Sequence, residues 1–213
     1  MITIQKFIFS PFNENTYVLY DQTGECVIID PGCYDEHEQS VIQKFISGKH
    51  LKPIYLLNTH CHLDHVFGNN FIGKTYGLKS QCHSEDSAVL KRTSESAAGF
   101  GLKMEQPADA GNFLTENDKI AFGNSELKIF HTPGHTPGHL IFYNTTEEIA
   151  FTGDVLFAGS IGRSDFPGGN HEDLLNSIKT KIYTLPDDTK VFSGHGSETT
   201  VGKEKKTNPF VRA

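Results

Sequence analysis

The stretch Thr59-His60-Cys61-His62-Leu63-Asp64-His65 constrains this chain more than any other. It follows Ile54-Tyr55-Leu56-Leu57, a β-branched and aromatic run that reads as a buried strand ending in a loop. Three imidazoles and a carboxylate within six positions are thereby set at a strand's C-terminal edge. Packing does not account for them, because a buried imidazole or carboxylate needs a hydrogen-bond partner or a cation. A metal ion is the economical partner. In an extended segment His60 and His62 share a face, and Asp64 and His65 follow where the chain turns into a helix. Such a bend can divide the ligands between two adjacent ions.

Around that loop the chain reads as alternating strands and helices. Ile2 to Phe9, Asn15 to Tyr20 and Glu25 to Ile29 are β-rich runs separated by the turn compositions Pro11-Phe12-Asn13-Glu14 and Asp21-Gln22-Thr23-Gly24. Asp30-Pro31-Gly32 stops the third run, and Val41, Ile42, Phe45 and Ile46 predict a helix over Tyr34 to Gly48. Leu78 to Cys82 reads as a strand, and Ser84 caps a helix expected from about Glu85 into the nineties. Ser94 to Asn112 has little periodicity and is expected to be a mobile connection that overhangs the site.

The second half brings further strands at Lys119 to Phe122, Leu127 to His131, Leu140 to Tyr143 and Ile149 to Thr152. A helix over Glu172 to Tyr183, a short strand at Val191-Phe192 and a helical tail after Thr199 complete the order. Two sheets with helices outside them suit this order better than a parallel βαβ fold.

A length of 213 residues suits one large domain, read here as residues 1–213. No run of about 18 apolar residues is present, and Met1 to Ser10 lacks a signal-peptide pattern, so a soluble cytoplasmic protein is expected. The four cysteines, Cys26, Cys33, Cys61 and Cys82, have no C-x-x-C spacing and read as free thiols. A formal net charge of −7 and the lack of a basic stripe before Lys203-Glu204-Lys205-Lys206 argue against nucleic-acid binding. Divalent ions would offset part of that charge locally and let an acidic protein attract an anionic substrate.

Three more stretches set metal-competent residues at strand ends: Thr132-Pro133-Gly134-His135-Thr136-Pro137-Gly138-His139, Phe151-Thr152-Gly153-Asp154 and Phe192-Ser193-Gly194-His195-Gly196. The glycine before each ligand candidate permits backbone that other residues avoid and a close approach of main chain to an ion. These stretches, together with the histidine loop and Gly162-Arg163, resemble the metallo-β-lactamase superfamily over nearly the whole chain, and within it the glyoxalase II-like branch. The resemblance implies an α+β fold, an αββα sandwich of two mixed sheets flanked by helices, with the site at one edge. It implies His60, His62 and His135 as ligands of a first metal, Asp64, His65 and His195 as ligands of a second, and Asp154 as the bridge. Asp64 and Asp154 are the residues expected to bear on catalysis directly.

Histidine and carboxylate donors suit two divalent ions, Zn²⁺ first and Fe²⁺ or Mn²⁺ as well. With two carboxylates and a bridging hydroxide such a centre keeps a positive charge, which favours the hydroxide nucleophile and a developing oxyanion. The expected activity is hydrolysis of a small acyl thioester, with neither nucleic acid nor membrane as partner. In glyoxalase II enzymes a basic residue contacts glutathione at the position of Arg163, so Arg163 is expected to bind a substrate carboxylate, a salt bridge to Asp165 being the alternative. Gly196-Ser197 replaces the Glu-Tyr of that family, and the sequence ends at Ala213 without its C-terminal helical domain, so glutathione is expected to be held weakly.

Rival readings are a mononuclear iron persulfide dioxygenase, which Gly162-Arg163-Ser164-Asp165-Phe166 resembles, then a β-lactamase, then a non-enzymatic metal-binding module. Cys61 is expected to point away from the ligands. His131 and His139 are expected to pack or hydrogen-bond behind them, and His37, His50, His83 and His171 to be surface or capping residues.

Overall fold

Asp35 starts the first helix by accepting the backbone N–H of Glu38, and the Glu38 carboxylate in turn accepts the N–H groups of Ser10 and Tyr34. One acidic side chain thus ties a helix to a strand turn and to the loop before it. The computed structural model describes residues 1–212, and these divide into two units: residues 1–114 with 121–125, and residues 115–120 with those from 126 onward.

In the first unit, strands β1 (Thr3–Phe9), β2 (Glu14–Tyr20), β3 (Glu25–Ile29), β4 (Lys52–Leu57), β5 (Ser80–Cys82) and β6 (Asn112–Phe113) form one sheet in that order. β1 to β3 are antiparallel neighbours, whereas β3, β4, β5 and β6 run parallel. Helix α1 (Glu36–Gly48) buries Ile42 and Ile46 against Val18, Ile28, Leu56 and Ile72. The parallel pair β3 and β4 ends at one edge, which sets Asp30 beside the histidine loop; Asp30 N–H donates to Leu57 O at 2.9 Å.

Helices α2 (Leu63–Val66) and α3 (Asn69–Tyr76) follow that loop. The helix expected from Glu85 is broken into a 3₁₀ turn (Ser84–Asp86), α4 (Ser87–Leu90) and α5 (Thr93–Gly99). The Thr93 hydroxyl donates to Leu90 O at the break. The sequence hid α5 because it buries only Thr93 and Ala97, too small a stripe to read as periodic. Beyond Gly99 the chain is held by named bonds: Lys103 N–H to the Tyr34 hydroxyl, Gln106 Nε2 to Leu90 O, and Ala108 N–H to Asn70 Oδ1.

The second sheet has β14 (Thr199–Thr200), β13 (Lys190–Ser193), β10 (Ile149–Gly153), β9 (Leu140–Asn144), β8 (Ser125–His131) and β7 (Lys119–Phe122) in that order. β10 and β13 are parallel, and β8, β9 and β10 are antiparallel neighbours. A two-stranded hairpin, β11 (Leu156–Phe157) with β12 (Ser160–Ile161), follows β10. Strands of two residues show no alternation, which is why β6, β11, β12 and β14 were illegible in the sequence.

Helix α6 (His171–Ser177) runs into a π turn over Ile178–Ile182. Leu174, Ile178 and Ile182 recur every four residues, and the wider turn keeps all three facing the same core as Val191 and Val201. Helix α7 (Val201–Thr207) is where the tail was expected to be helical. Among the described residues no helix is long and apolar enough to cross a membrane.

Glu204 of α7 is fully buried and accepts from the Thr199 hydroxyl at 2.5 Å, Gly159 N–H at 2.9 Å and Asn208 Nδ2 at 3.0 Å. It holds the hairpin that follows Asp154. Glu204→Ala would leave those donors unmet and open a void, so urea unfolding is expected to show a loss of about 3 kcal/mol, with Glu204→Gln recovering part of it.

Candidate metal centre

The first unit gathers the rings of the histidine loop. His60 lies 4.8 Å from His62 and 4.0 Å from His65 between ring centroids, and both His60 and His65 are fully buried. Asp30 organises them. Its carboxylate accepts the Thr59 N–H at 2.7 Å, the Thr59 hydroxyl at 2.6 Å and His65 Nδ1 at 3.0 Å. That bond fixes the proton of His65 on Nδ1 and gives Nε2 the lone pair a metal needs. His60 Nδ1 lies 3.1 Å from the Thr59 hydroxyl, and Asp64 Oδ2 lies 3.8 Å from His65 Nε2.

Alternation sends Cys61 the other way, into a cluster with Val66, Cys82 and Leu90. A hydrogen bond with Cys82, with burial added, pushes its thiol well above the ordinary range, so it is a packing side chain. Its backbone N–H donates to the buried Asp86 carboxylate at 2.8 Å, which anchors the loop from below. All four cysteines are free and buried, as expected of reduced thiols.

The second unit gathers His135, Asp154 and His195. His135 Nδ1 donates to Arg163 O at 2.7 Å, again presenting Nε2. Asp154 Oδ2 lies 3.6 Å from His135 Nε2 and 3.6 Å from His195 Nε2. Both separations are too long for hydrogen bonds. Donors about 2.0–2.2 Å from a tetrahedral ion lie roughly 3.3–3.6 Å from one another, so this spacing fits coordination. Histidine nitrogens and carboxylate oxygens are the donor set that such ions take, and the chain fits the metal its sequence implies.

Local backbone explains how these side chains are aimed. Gly134 and Gly153 have φ of 134° and 46°, which only glycine adopts readily, and a Cβ on Gly134 would overlap the backbone of Leu174. Gly194 is not in that region; its N–H donates to Gly153 O at 2.8 Å and joins the loops that carry Asp154 and His195. Asn170 caps α6 through its side chain while its N–H binds Gly134 O. A Cβ on Gly162 would overlap the Asp154 carbonyl oxygen.

His139 Nε2 accepts the Asp154 N–H at 3.1 Å, and its Nδ1 lies 3.1 Å from the Thr132 hydroxyl. It is the hydrogen-bonded support expected of it, as is His131, whose Nε2 donates to Pro137 O at 2.8 Å. His83 caps the 3₁₀ turn, also as expected. Arg163 makes a fork with Asp165, Nε to Oδ1 at 2.9 Å and Nη2 to Oδ2 at 2.7 Å, and stacks 4.2 Å over the Phe166 ring. The ion pair weighed against substrate binding is therefore present, on the surface.

Sequence reasoning missed Asp30 and Asp86 as supports of the site. Asp30 was read only as a strand stop. Its one sequence signal, an acid directly after the apolar run Val27-Ile28-Ile29, is also what a turn takes, so it did not stand out.

Comparison with known proteins gives the family. The metallo-β-lactamase superfamily model matches residues 10–195. Hydroxyacylglutathione hydrolase GloC of Haemophilus influenzae is 39% identical over 214 residues, covering 100% of this chain and 99% of GloC. The crystal structure of the BLEG-1 B3 metallo-β-lactamase superposes with a TM-score of 0.89 at 35% identity, covering 98% of this chain and 99% of that one. The structure of TTHA1623 in a di-iron-bound form gives 0.86 at 35% identity, covering 97% and 99%. The chain belongs to the metallo-β-lactamase superfamily and has its fold, two mixed sheets flanked by helices. It is a metallo-hydrolase by family, with histidine and aspartate clusters suited to divalent ions.

Asp30→Asn keeps the side chain's shape but removes the charge that His65 Nδ1 and Thr59 share. Metal affinity, measured by chelator competition, is expected to fall about 10–100-fold. Unchanged affinity would mean that His65 is oriented by something else.

Proposed function

We propose that this protein is a metal-dependent thioester hydrolase of the short glyoxalase II-like kind. His60, His62 and His135 would hold one divalent ion, Asp64, His65 and His195 a second, and Asp154 would serve both. The observation that carries this reading is Asp154 Oδ2, equidistant from His135 Nε2 and His195 Nε2 at 3.6 Å, as a shared carboxylate requires. The full-length likeness to GloC supports the reaction class. Zinc is the first candidate for the metal; iron or manganese suits the same donors, and TTHA1623 is a relative with two irons.

Bound divalent ions supply Lewis-acid polarisation of a carbonyl and a more acidic water. The chain's own part is to aim the donors: Asp30 turns His65, the Arg163 carbonyl turns His135, and His139 holds the Asp154 backbone. The Phe157 ring lies 6.3 Å from the His195 ring and gives an apolar wall beside it. Arg163 is proposed to exchange Asp165 for a substrate carboxylate, since an exposed ion pair is held weakly. The substrate is a small molecule. We read residues 1–213 as one working domain in the cytoplasm, which the free cysteines support.

BLEG-1 carries a second reading, β-lactam hydrolysis, because it is as similar in fold as any relative named here. Parallel kinetics decide between them: kcat/KM for acyl thioesters is expected to exceed that for a chromogenic cephalosporin, and the reverse order would establish the lactamase. Among thioesters, S-lactoylglutathione is expected to show a KM near or above about 1 mM, because Gly196-Ser197 offers no tyrosine contact. A low-micromolar KM would show a glutathione site built from other residues.

Metal analysis tests the centre itself. His195→Ala is expected to keep about one ion per chain, with secondary structure by circular dichroism as in the unaltered protein, and to lose roughly 100-fold or more in thioester hydrolysis. Arg163→Ala is expected to raise KM with metal content unchanged; lost thermal stability with intact kinetics would return Arg163 to a purely structural role. Unaltered protein that binds a single iron in excess zinc or manganese, and consumes oxygen with a persulfide, would replace the hydrolase reading by the dioxygenase.

A further inference from the structure

Glu14 is the least explained ionisable group of the first unit. It opens β2 with its side chain fully buried, and among the described residues only one of its carboxyl oxygens has a hydrogen-bond partner: the Thr16 hydroxyl donates to Oε2 at 2.8 Å, and none reaches Oε1. Burial pushes this carboxyl well above the ordinary range, an effect that nearby His65 only partly offsets. A buried carboxyl with an unmet oxygen costs stability, so its presence here calls for a physical account.

Its neighbours indicate one. Gly32 N–H donates to the Thr16 hydroxyl at 2.8 Å, so a chain of bonds runs from Gly32 through Thr16 to Glu14. The side of Gly32 that a Cβ would occupy is filled by Glu14 Oε2, and the Asp64 carbonyl oxygen lies 2.8 Å from that same point. The adjoining Pro31 carbonyl accepts Gly68 N–H at 2.7 Å, and a Cβ on Gly68 would lie 2.8 Å from that oxygen. The Pro31–Gly32 turn is therefore the bed on which residues 64 to 68 rest, and Glu14 lies beneath the bed.

We propose that Glu14 is a positioning residue for Asp64: its carboxyl, wedged against Gly32, sets the depth of the residue 64 main chain and so the place of the Asp64 carboxylate. The proposal rests on the ligand role given to Asp64 above. What the wedge needs is shape, and the oxygen facing Thr16. Glutamine supplies both, whereas alanine leaves a void into which the turn can settle.

The test is Co²⁺ titration followed by visible absorption, with thioester kinetics alongside, on the unaltered protein, Glu14→Gln, Glu14→Ala, Glu14→Asp, Thr16→Val and Asp64→Asn. Glu14→Gln is expected to bind both ions within about threefold of the unaltered protein. Glu14→Ala is expected to bind the second Co²⁺ about 10–100-fold more weakly, with altered absorption bands, and to lower kcat while KM holds. Thr16→Val, which frees both the carboxyl and the Gly32 N–H without opening a void, is expected to weaken the second ion about threefold to tenfold; if Glu14→Ala does not fold, Glu14→Asp, which shortens the wedge and leaves the Gly32 bond to Thr16 in place, decides the matter by the same weakening. Thr16→Val, Glu14→Asp and any folded Glu14→Ala binding the second ion at full strength, while Asp64→Asn loses it, would overturn the role of Glu14 alone. Asp64→Asn keeping both ions would overturn the ligand reading and this inference with it.

Discussion

The Asp30 carboxylate is the interaction on which the histidine loop of the first unit depends. It is 2% exposed, and a buried charge persists only where donors surround it. Three do: the N–H and hydroxyl of Thr59 and Nδ1 of His65. Two come from the start of the histidine loop and one from its end, so both ends of the loop are tied to the end of β3. Asp30 takes a φ of 48°, a conformation side-chain-bearing residues adopt at a cost, and the bonds it makes offset that cost. The parallel pairing of β3 with β4 makes this possible, since only a parallel neighbour ends at the same edge.

The second unit meets the same demand with glycine and with neutral bonds. Asp154 is itself a candidate ligand, so its carboxylate is not spent on anchoring. Its backbone is held instead, by His139 Nε2 on the N–H and by the close approach of Gly162 to the carbonyl. His135 is turned by a main-chain carbonyl, and Gly134 lets its loop lie against α6. Where an orienting group is a carboxylate, burial must be matched by several donors; where it is a carbonyl or an imidazole, one good bond suffices.

These differences explain what the sequence disclosed. Long strands with flanking turns were legible because period and punctuation agree over Thr3–Tyr20 and Ser125–Asn144. The candidate ligand stretches were legible because histidine and aspartate beside glycine have few structural uses. The supports were not. Asp30 and Asp86 act across 29 and 25 positions, and Glu14 acts through a glycine that carries no signal of its own. Helix α5 hid because small side chains make a weak stripe, and the π turn hid because a four-residue repeat resembles an ordinary helix.

The same contrast separates the chemistry of the centre from the choice of substrate. His60, His65, His135 and Asp154 are buried or nearly so, and named bonds fix His65, His135 and the Asp154 backbone, so a changed neighbour disturbs several contacts at once. Arg163 and Asp165 stand in solvent, each about two-thirds exposed, where pairing is weak and a side chain is replaced without penalty to the fold. Similarity of 39% to a hydroxyacylglutathione hydrolase and of 35% to a B3 β-lactamase is then no contradiction. Both reactions attack a carbonyl and expel a heteroatom, which asks the same charge stabilisation of a metal centre; under the proposed function the exposed rim is where a sulfur leaving group on a flexible chain would be told from an amide nitrogen in a strained ring.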